Sequence, residues 1–148
     1  MNKELLSPCG LYCGVCGIHY ATIHDDSILK EKLSRVYGVP AEKLHCHGCL
    51  SDTVFDFCKV CSIKSCATAK QVEGCYQCAD FPCDTINSFP FEEAKHQMLR
   101  AVPSWKALGT TEWIKTEEKL FSCSECGRVQ FRGARKCRNC GAMLSFPV

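Results

Sequence analysis

Apolar positions at helical spacing mark the first predicted elements of the 148-residue chain. Between residues 25 and 38, Ile28, Leu29, Leu33, Val36 and Tyr37 fall on one helical face. Asp25 or Asp26 is placed to cap the start, and Gly38 followed by Pro40 to end it. This helix is packing surface and carries no candidate chemistry. Between 91 and 108, Phe91, Ala94, Met98, Leu99 and Val102 recur in the same way, with a break or kink expected at Pro103. A shorter helix is predicted over 110–120, capped by Thr110 or Thr111. Trp105 and Trp113 are expected to seat both helices against a neighbouring unit. Two short helices are predicted at 63–70 and 82–88, the second starting on Pro82. Val129, Gln130 and Phe131 suit a short strand. No βαβ rhythm is present, and no apolar run reaches the roughly 18 residues of a membrane span.

Cysteine changes this picture. The chain has 15 of them, enough for a disulfide framework or a metal protein. Three observations select metal. The opening residues MNKELLSPCG show no apolar segment of a secretion signal, so the expected compartment is the cytoplasm, where thiols stay reduced. The count is odd, so pairwise crosslinking would strand one thiol. Twelve of the cysteines form six C-x2-C pairs: Cys13/Cys16, Cys46/Cys49, Cys58/Cys61, Cys75/Cys78, Cys123/Cys126 and Cys137/Cys140. Two thiolates so spaced on one tight turn can reach a single ion about 2.3 Å from each sulfur.

The pairs sit in distinct settings. Cys9, Cys13 and Cys16 are each followed by glycine, which lets backbone N–H groups turn toward sulfur. In LHCHGCL, His45 and His47 flank Cys46, with Cys49 following. CKVCSIKSC (58–66) and CYQCADFPC (75–83) repeat the frame C-x2-C-x4-C, so that Cys58, Cys61 and Cys66 recur as Cys75, Cys78 and Cys83. Such a repeat marks a repeated structural unit. The third thiolate of each unit is expected at the start of a short helix, where the helix dipole favours it. Residues 121–148 carry C-x2-C-x10-C-x2-C (Cys123, Cys126, Cys137 and Cys140), with glycine after each pair. This is the rubredoxin-like ribbon arrangement, two knuckles at hairpin tips closing one tetrahedral four-thiolate site.

The segments CGLYCGVC (9–16), CHGCLSD (46–52), CKVCSIKSCA (58–67) and CYQCADFPC (75–83), in that order and spacing, resemble a cysteine-rich bacterial and archaeal family catalogued as domain of unknown function 3795. The resemblance covers residues 7–89. It implies zinc binding by the eleven cysteines from Cys9 to Cys83, and for some members a C-terminal zinc ribbon. It implies no activity and requires no histidine at 45 or 47.

The expected fold is a small metal-organised protein, mainly α with short β-hairpins. It comprises a cysteine-rich metal-binding domain (1–89), a helical connector (90–120) and a zinc ribbon (121–148). Eleven cysteines are one short of three four-ligand sites. His45 or His47 would complete them, for four zinc ions in all, and an incomplete site would leave three to four. No H-E-x-x-H motif and no general base stands out, so no catalytic residue is assigned. Cys9, Cys13 and Cys16 share the C-x3-C-x2-C frame of radical S-adenosylmethionine enzymes, but the chain is too short for the barrel those enzymes need. The alternative for residues 1–89 is an iron–sulfur cluster, because all-sulfur ligand sets serve zinc and iron alike. A thiol redox protein is a further alternative.

The formal charge of +2 turns negative once the thiols ionise on metal, so no general affinity for nucleic acid or an anionic membrane follows. The ribbon alone gathers Arg128, Arg132, Arg135, Lys136 and Arg138 against Glu125, with Phe121, Phe131 and Phe146 available for base stacking. The expected function is that of a zinc protein with structural metal sites, an interaction module for protein or nucleic acid through the ribbon.

Overall fold

The computed structural model describes residues 1–147. Helix α1 (Gly17–Ile23) begins directly after Cys16 and buries Ile18, His19 and Ala21. The chain turns at Asp25 and enters α2 (Ser27–Tyr37). The Asp26 carboxylate accepts a 2.9 Å hydrogen bond from the Leu29 N–H, and Gly38 ends the helix in a left-handed conformation. Both caps stand where the sequence predicts them. The apolar face is only half used: Leu29 is buried and Leu33 half-buried, whereas Ile28 and Val36 are 63% and 76% exposed.

Helices α3 (Asp56–Lys59) and α4 (Ser62–Ala69) follow. Then comes α5 (Asp84–Asn87), shorter than the predicted span and beginning two residues after Pro82. The last helical element, α6 (Glu92–Leu120), is two arms joined at Gly109. The expected break at Pro103 does not occur. Pro103 lies on the exposed side of the first arm, and the helix runs through it. The chain reverses at Gly109, where φ 74° and ψ 164° lie in a region that only glycine occupies without strain. The arms then close on each other. Trp105 and Trp113 stack with ring centroids 4.1 Å apart and planes 7° from parallel. Arg100 forks onto Glu117 with bonds of 2.7 and 2.8 Å. Gly109→Ala is expected to cost about 1–3 kcal/mol in strain and to lower the thermal midpoint of the metal-loaded chain by several degrees. An unchanged midpoint would mean that the turn is not constrained.

About half of the chain is helical. Among the described residues there is no strand, so the expected β-hairpins do not form. Two isolated antiparallel bridges stand in their place, Ser122 with Val129 and Lys136 with Met143. The reason is where the backbone groups bond. Gln130 N–H donates to Phe121 carbonyl at 2.8 Å and Arg132 N–H to Val15 carbonyl at 2.7 Å. The second of these leaves the ladder for the N-terminal segment, and no hairpin is extended.

One apolar cluster joins the N-terminal and C-terminal segments to the arms of α6. It holds Leu6, Tyr12 and Val15 from the N-terminal segment, Ala101, Trp105 and Trp113 from the two arms, and Phe121 from the start of the C-terminal segment. Tyr76 packs on Trp105 at 4.5 Å and Tyr12 on Trp113 at 5.9 Å. The two tryptophans therefore seat the arms against the cysteine-rich segment, as expected. Two smaller clusters, around Ile63, Ile86 and Met98 and around Ile18, Leu44 and Phe55, each include a buried cysteine, Cys9 and Cys46 respectively.

Candidate metal centres

The C-terminal site is made of two copies of one turn. In the first, Gly127 N–H donates to Cys123 carbonyl at 2.8 Å and Cys123 N–H to Arg128 carbonyl at 3.0 Å. In the second, Gly141 N–H donates to Cys137 carbonyl at 3.0 Å and Cys137 N–H to Ala142 carbonyl at 2.8 Å. Gly127 and Gly141 close these turns at φ 70° and 80°, a left-handed conformation in which a side chain would be strained. The side chain of Gln130, 1% exposed, ties the turns together: its Oε1 accepts from Arg138 N–H at 2.9 Å and its Nε2 donates to Val129 carbonyl at 3.2 Å.

This frame brings Cys123, Cys126, Cys137 and Cys140 together, with all four Sγ atoms within 4.8 Å of one another. Cys123 Sγ lies 3.7 Å from Cys140 Sγ, and Cys126 Sγ lies 3.6 Å from Cys137 Sγ. A disulfide would need about 2.05 Å. Four sulfurs at about 2.3 Å from a central ion would stand about 3.8 Å apart, so these residues fit a tetrahedral ion. Backbone N–H groups already support negative charge there. The Cys140 N–H holds the Cys137 thiol down at about 6, and the Arg128 N–H lowers the Cys126 thiol.

The eleven cysteines of residues 1–89 are free thiols and mostly sheltered. The Cys58 thiol is pushed up to about 12, by burial first and then by the nearby Cys49, Cys16, Cys46 and Cys61. Burial likewise raises Cys9, Cys13, Cys16 and Cys49. Farther along, the Cys75 thiol is pushed up to about 11, by burial and then by Cys83, Cys78 and Cys66. These buried thiols are protonated at neutral pH, and ligation must expel the protons.

The sequence repeat does not predict how these residues gather. Cys66 falls inside α4 and faces a cavity lined by Cys75, Cys78 and Cys83 of the other repeat unit. Of its repeat-mates, Cys58 lies near Cys16, Cys46 and Cys49, and Cys61 lies between that group and Cys75. Cys83 directly precedes α5, as predicted for the third thiolate.

His45 and His47, the two candidates for the missing N-terminal ligand, are exposed and pack on each other at 4.9 Å. The histidine buried among the cysteines is His19, whose Nδ1 lies 3.3 Å from Cys46 carbonyl. Its position three residues after Cys16, at the start of an apolar helix, was the available signal. Ser7 was also missed. It is buried with Oγ 3.1 Å from Cys13 Sγ, a contact between residues six apart that no motif encodes.

The basic face of the C-terminal segment is smaller than its sequence implies. Arg128, Arg135, Lys136 and Arg138 are exposed. Arg138 is paired with Asp26 of α2. Arg132 turns inward over the Phe121 ring at 5.4 Å, with Nε and Nη2 buried and without hydrogen-bond partners. Burial lowers its guanidinium from the ordinary value, while Cys16, Glu117 and Cys9 favour its charge. No helix is long and apolar enough to cross a membrane.

A family model described as "Protein of unknown function (DUF3795)" matches residues 5–88. No curated protein and no solved structure matches the chain. The matched segment holds all eleven N-terminal cysteines and ends before α6 begins.

Proposed function

The chain belongs to the DUF3795 family, a family of unknown function, and from that premise we propose that it is a zinc-binding protein with structural metal sites, acting as an interaction module. Residues 121–148 are its rubredoxin-like zinc ribbon. The observation that carries this reading is the set of Sγ separations at Cys123, Cys126, Cys137 and Cys140. Four thiolates around one ion leave no position for water or substrate, so the ion holds the fold and performs no chemistry. Cys9, Cys13, Cys16, Cys46, Cys49, Cys58, Cys61, Cys66, Cys75, Cys78 and Cys83 supply further metal sites in the family segment. A reducing compartment such as the cytoplasm keeps these ligands available.

The ribbon offers a partner the cations Arg128, Arg135 and Lys136, on turns that the ion makes rigid. The test has two parts. Elemental analysis of the anaerobically purified full chain is expected to find zinc, with one ion per chain lost on Cys123→Ser. A chain without zinc, or a variant that loses none, overturns the ribbon reading. Arg128→Glu with Arg135→Glu is then expected to keep the zinc and to abolish binding of whichever partner uses this face, nucleic acid or protein. Binding that survives both charge reversals places the partner elsewhere.

A further inference from the structure

Arg132 stands between the two cysteine turns of the C-terminal segment, yet it serves neither of them. Its backbone N–H donates to Val15 carbonyl at 2.7 Å, so it is bonded to the residue just before Cys16. Phe131 packs on the residue just after. A Cβ on Gly17 would stand 3.5 Å from the Phe131 ring. Phe131 also meets Tyr20 of α1, with ring centroids 5.3 Å apart. Residues 131 and 132 therefore brace the chain immediately before and after Cys16. The Arg132 guanidinium lies over the Phe121 ring at 5.4 Å. The residue as a whole is half-buried, but its Nε and Nη2 are out of reach of water and have no hydrogen-bond partner.

A buried guanidinium with unused N–H groups is costly unless an anion offsets its charge. Three groups favour that charge, Cys16 first, then Glu117 and Cys9. Both Glu117 oxygens are taken by Arg100. Cys9 belongs to the cluster around Ile63, Ile86 and Met98. Cys16 remains, and the influence is mutual, since Arg132 is the cation that acts on Cys16. The Cys16 sulfur also accepts from the Ile18 and His19 N–H groups, which are dipoles and bring no net charge. Four thiolates on one zinc ion carry a net charge of about −2. Away from water, that excess needs a cation close by.

We infer that Arg132 is a positioning residue for the metal site built on Cys16, the buried cation that offsets the negative charge of the metal-bound thiolate. This rests on the reading of Cys16 as a metal ligand and names the group that supports it. The C-terminal segment then has two tasks. Cys123, Cys126, Cys137 and Cys140 hold their own ion, and the loop between their turns stabilises a second centre in the family segment.

The experiment measures the zinc retained by the full chain, purified without oxygen, across a graded series of EDTA concentrations. Arg132→Met keeps the apolar stem over Phe121 and removes the charge, whereas Arg132→Lys keeps the charge. Arg132→Met is expected to lower the affinity for one ion about 10–100-fold, the range for losing an outer partner of a metal ligand. The ion that Cys123→Ser removes is expected to keep its affinity. Arg132→Lys is expected to restore most of the loss. In a Cys16→Ser chain, Arg132→Met is expected to leave the remaining ions unaffected, because both changes act on one site. Retention that Arg132→Met does not alter, with zinc still bound in the family segment, overturns the inference alone. Equal losses with Lys and Met do so too, because the role would then be one of shape. A loss that persists without Cys16 places the effect on another ligand and also overturns it, as does loss of the ribbon ion from the Arg132→Met chain. If the chain holds only the zinc that Cys123→Ser removes, the family segment is not a metal site, and both readings fall.

Discussion

Cys137→Ser is expected to remove one zinc ion per chain and to unfold residues 122–147 while α6 stays folded. The segment has no strand and a short list of long-range backbone bonds, so the ion is its principal crosslink. Structural zinc in small cysteine sites contributes on the order of 10 kcal/mol of binding free energy, which appears as folding free energy because the unfolded segment offers no site. Cys137 is the most consequential ligand to remove. The Cys140 N–H lowers its thiol from the ordinary value and so favours the thiolate that binds the ion, and it is the most buried cysteine of its turn, at 3% exposure. Serine keeps the size and loses the soft thiolate. The measurement pairs elemental analysis with amide spectra of labelled protein. Resonances of 122–147 are expected to move to unfolded positions, and those of α6, anchored by Trp105 and Trp113, to keep theirs. Retention of zinc, or of native amide positions in the segment, would defeat the account of the ion as its crosslink.

What was readable in the sequence was what one turn of chain encodes. Asp26 and Gly38 cap α2 because a cap involves neighbours three or four residues apart. The four C-terminal cysteines close as predicted because each pair shares a single turn, and a short connection brings the two turns together. The misreadings involve distant parts of the chain. Pro103 is the stronger helix breaker by local rules, but the reversal falls at Gly109, where stacking of Trp105 on Trp113 rewards it. The repeat at 58–66 and 75–83 pointed to two like units, yet Cys66 crosses to the second because α4 directs it there. Arg132 counted as surface charge until its backbone bond to Val15 fixed its side chain inward, above Phe121. His19 and Ser7 carry no motif at all and are recognised only by what they touch.

Arg100→Met is expected to destabilise the metal-loaded chain by about 3–5 kcal/mol, because it strands a buried carboxylate. Glu117 is fully buried, and its two oxygens both bond the Arg100 guanidinium. Arg132 adds a second positive charge at longer range. The fork lies between the two arms of α6, at positions that the reversal at Gly109 brings together. It therefore holds the hairpin closed below the tryptophan stack, and with it Phe121, which leads into Cys123. Leaving the carboxylate without its partner loses both hydrogen bonds and keeps the desolvation cost. Removing both charges keeps neither, so Arg100→Met with Glu117→Leu is expected to recover most of the loss. Urea unfolding at fixed zinc concentration measures the cycle. A single substitution costing under about 1 kcal/mol, the range of an exposed pair, would show that water reaches Glu117 and that the tryptophans alone close the hairpin. A double variant no better than the single one would show that the two side chains are needed for their packing volume and that their charges contribute little.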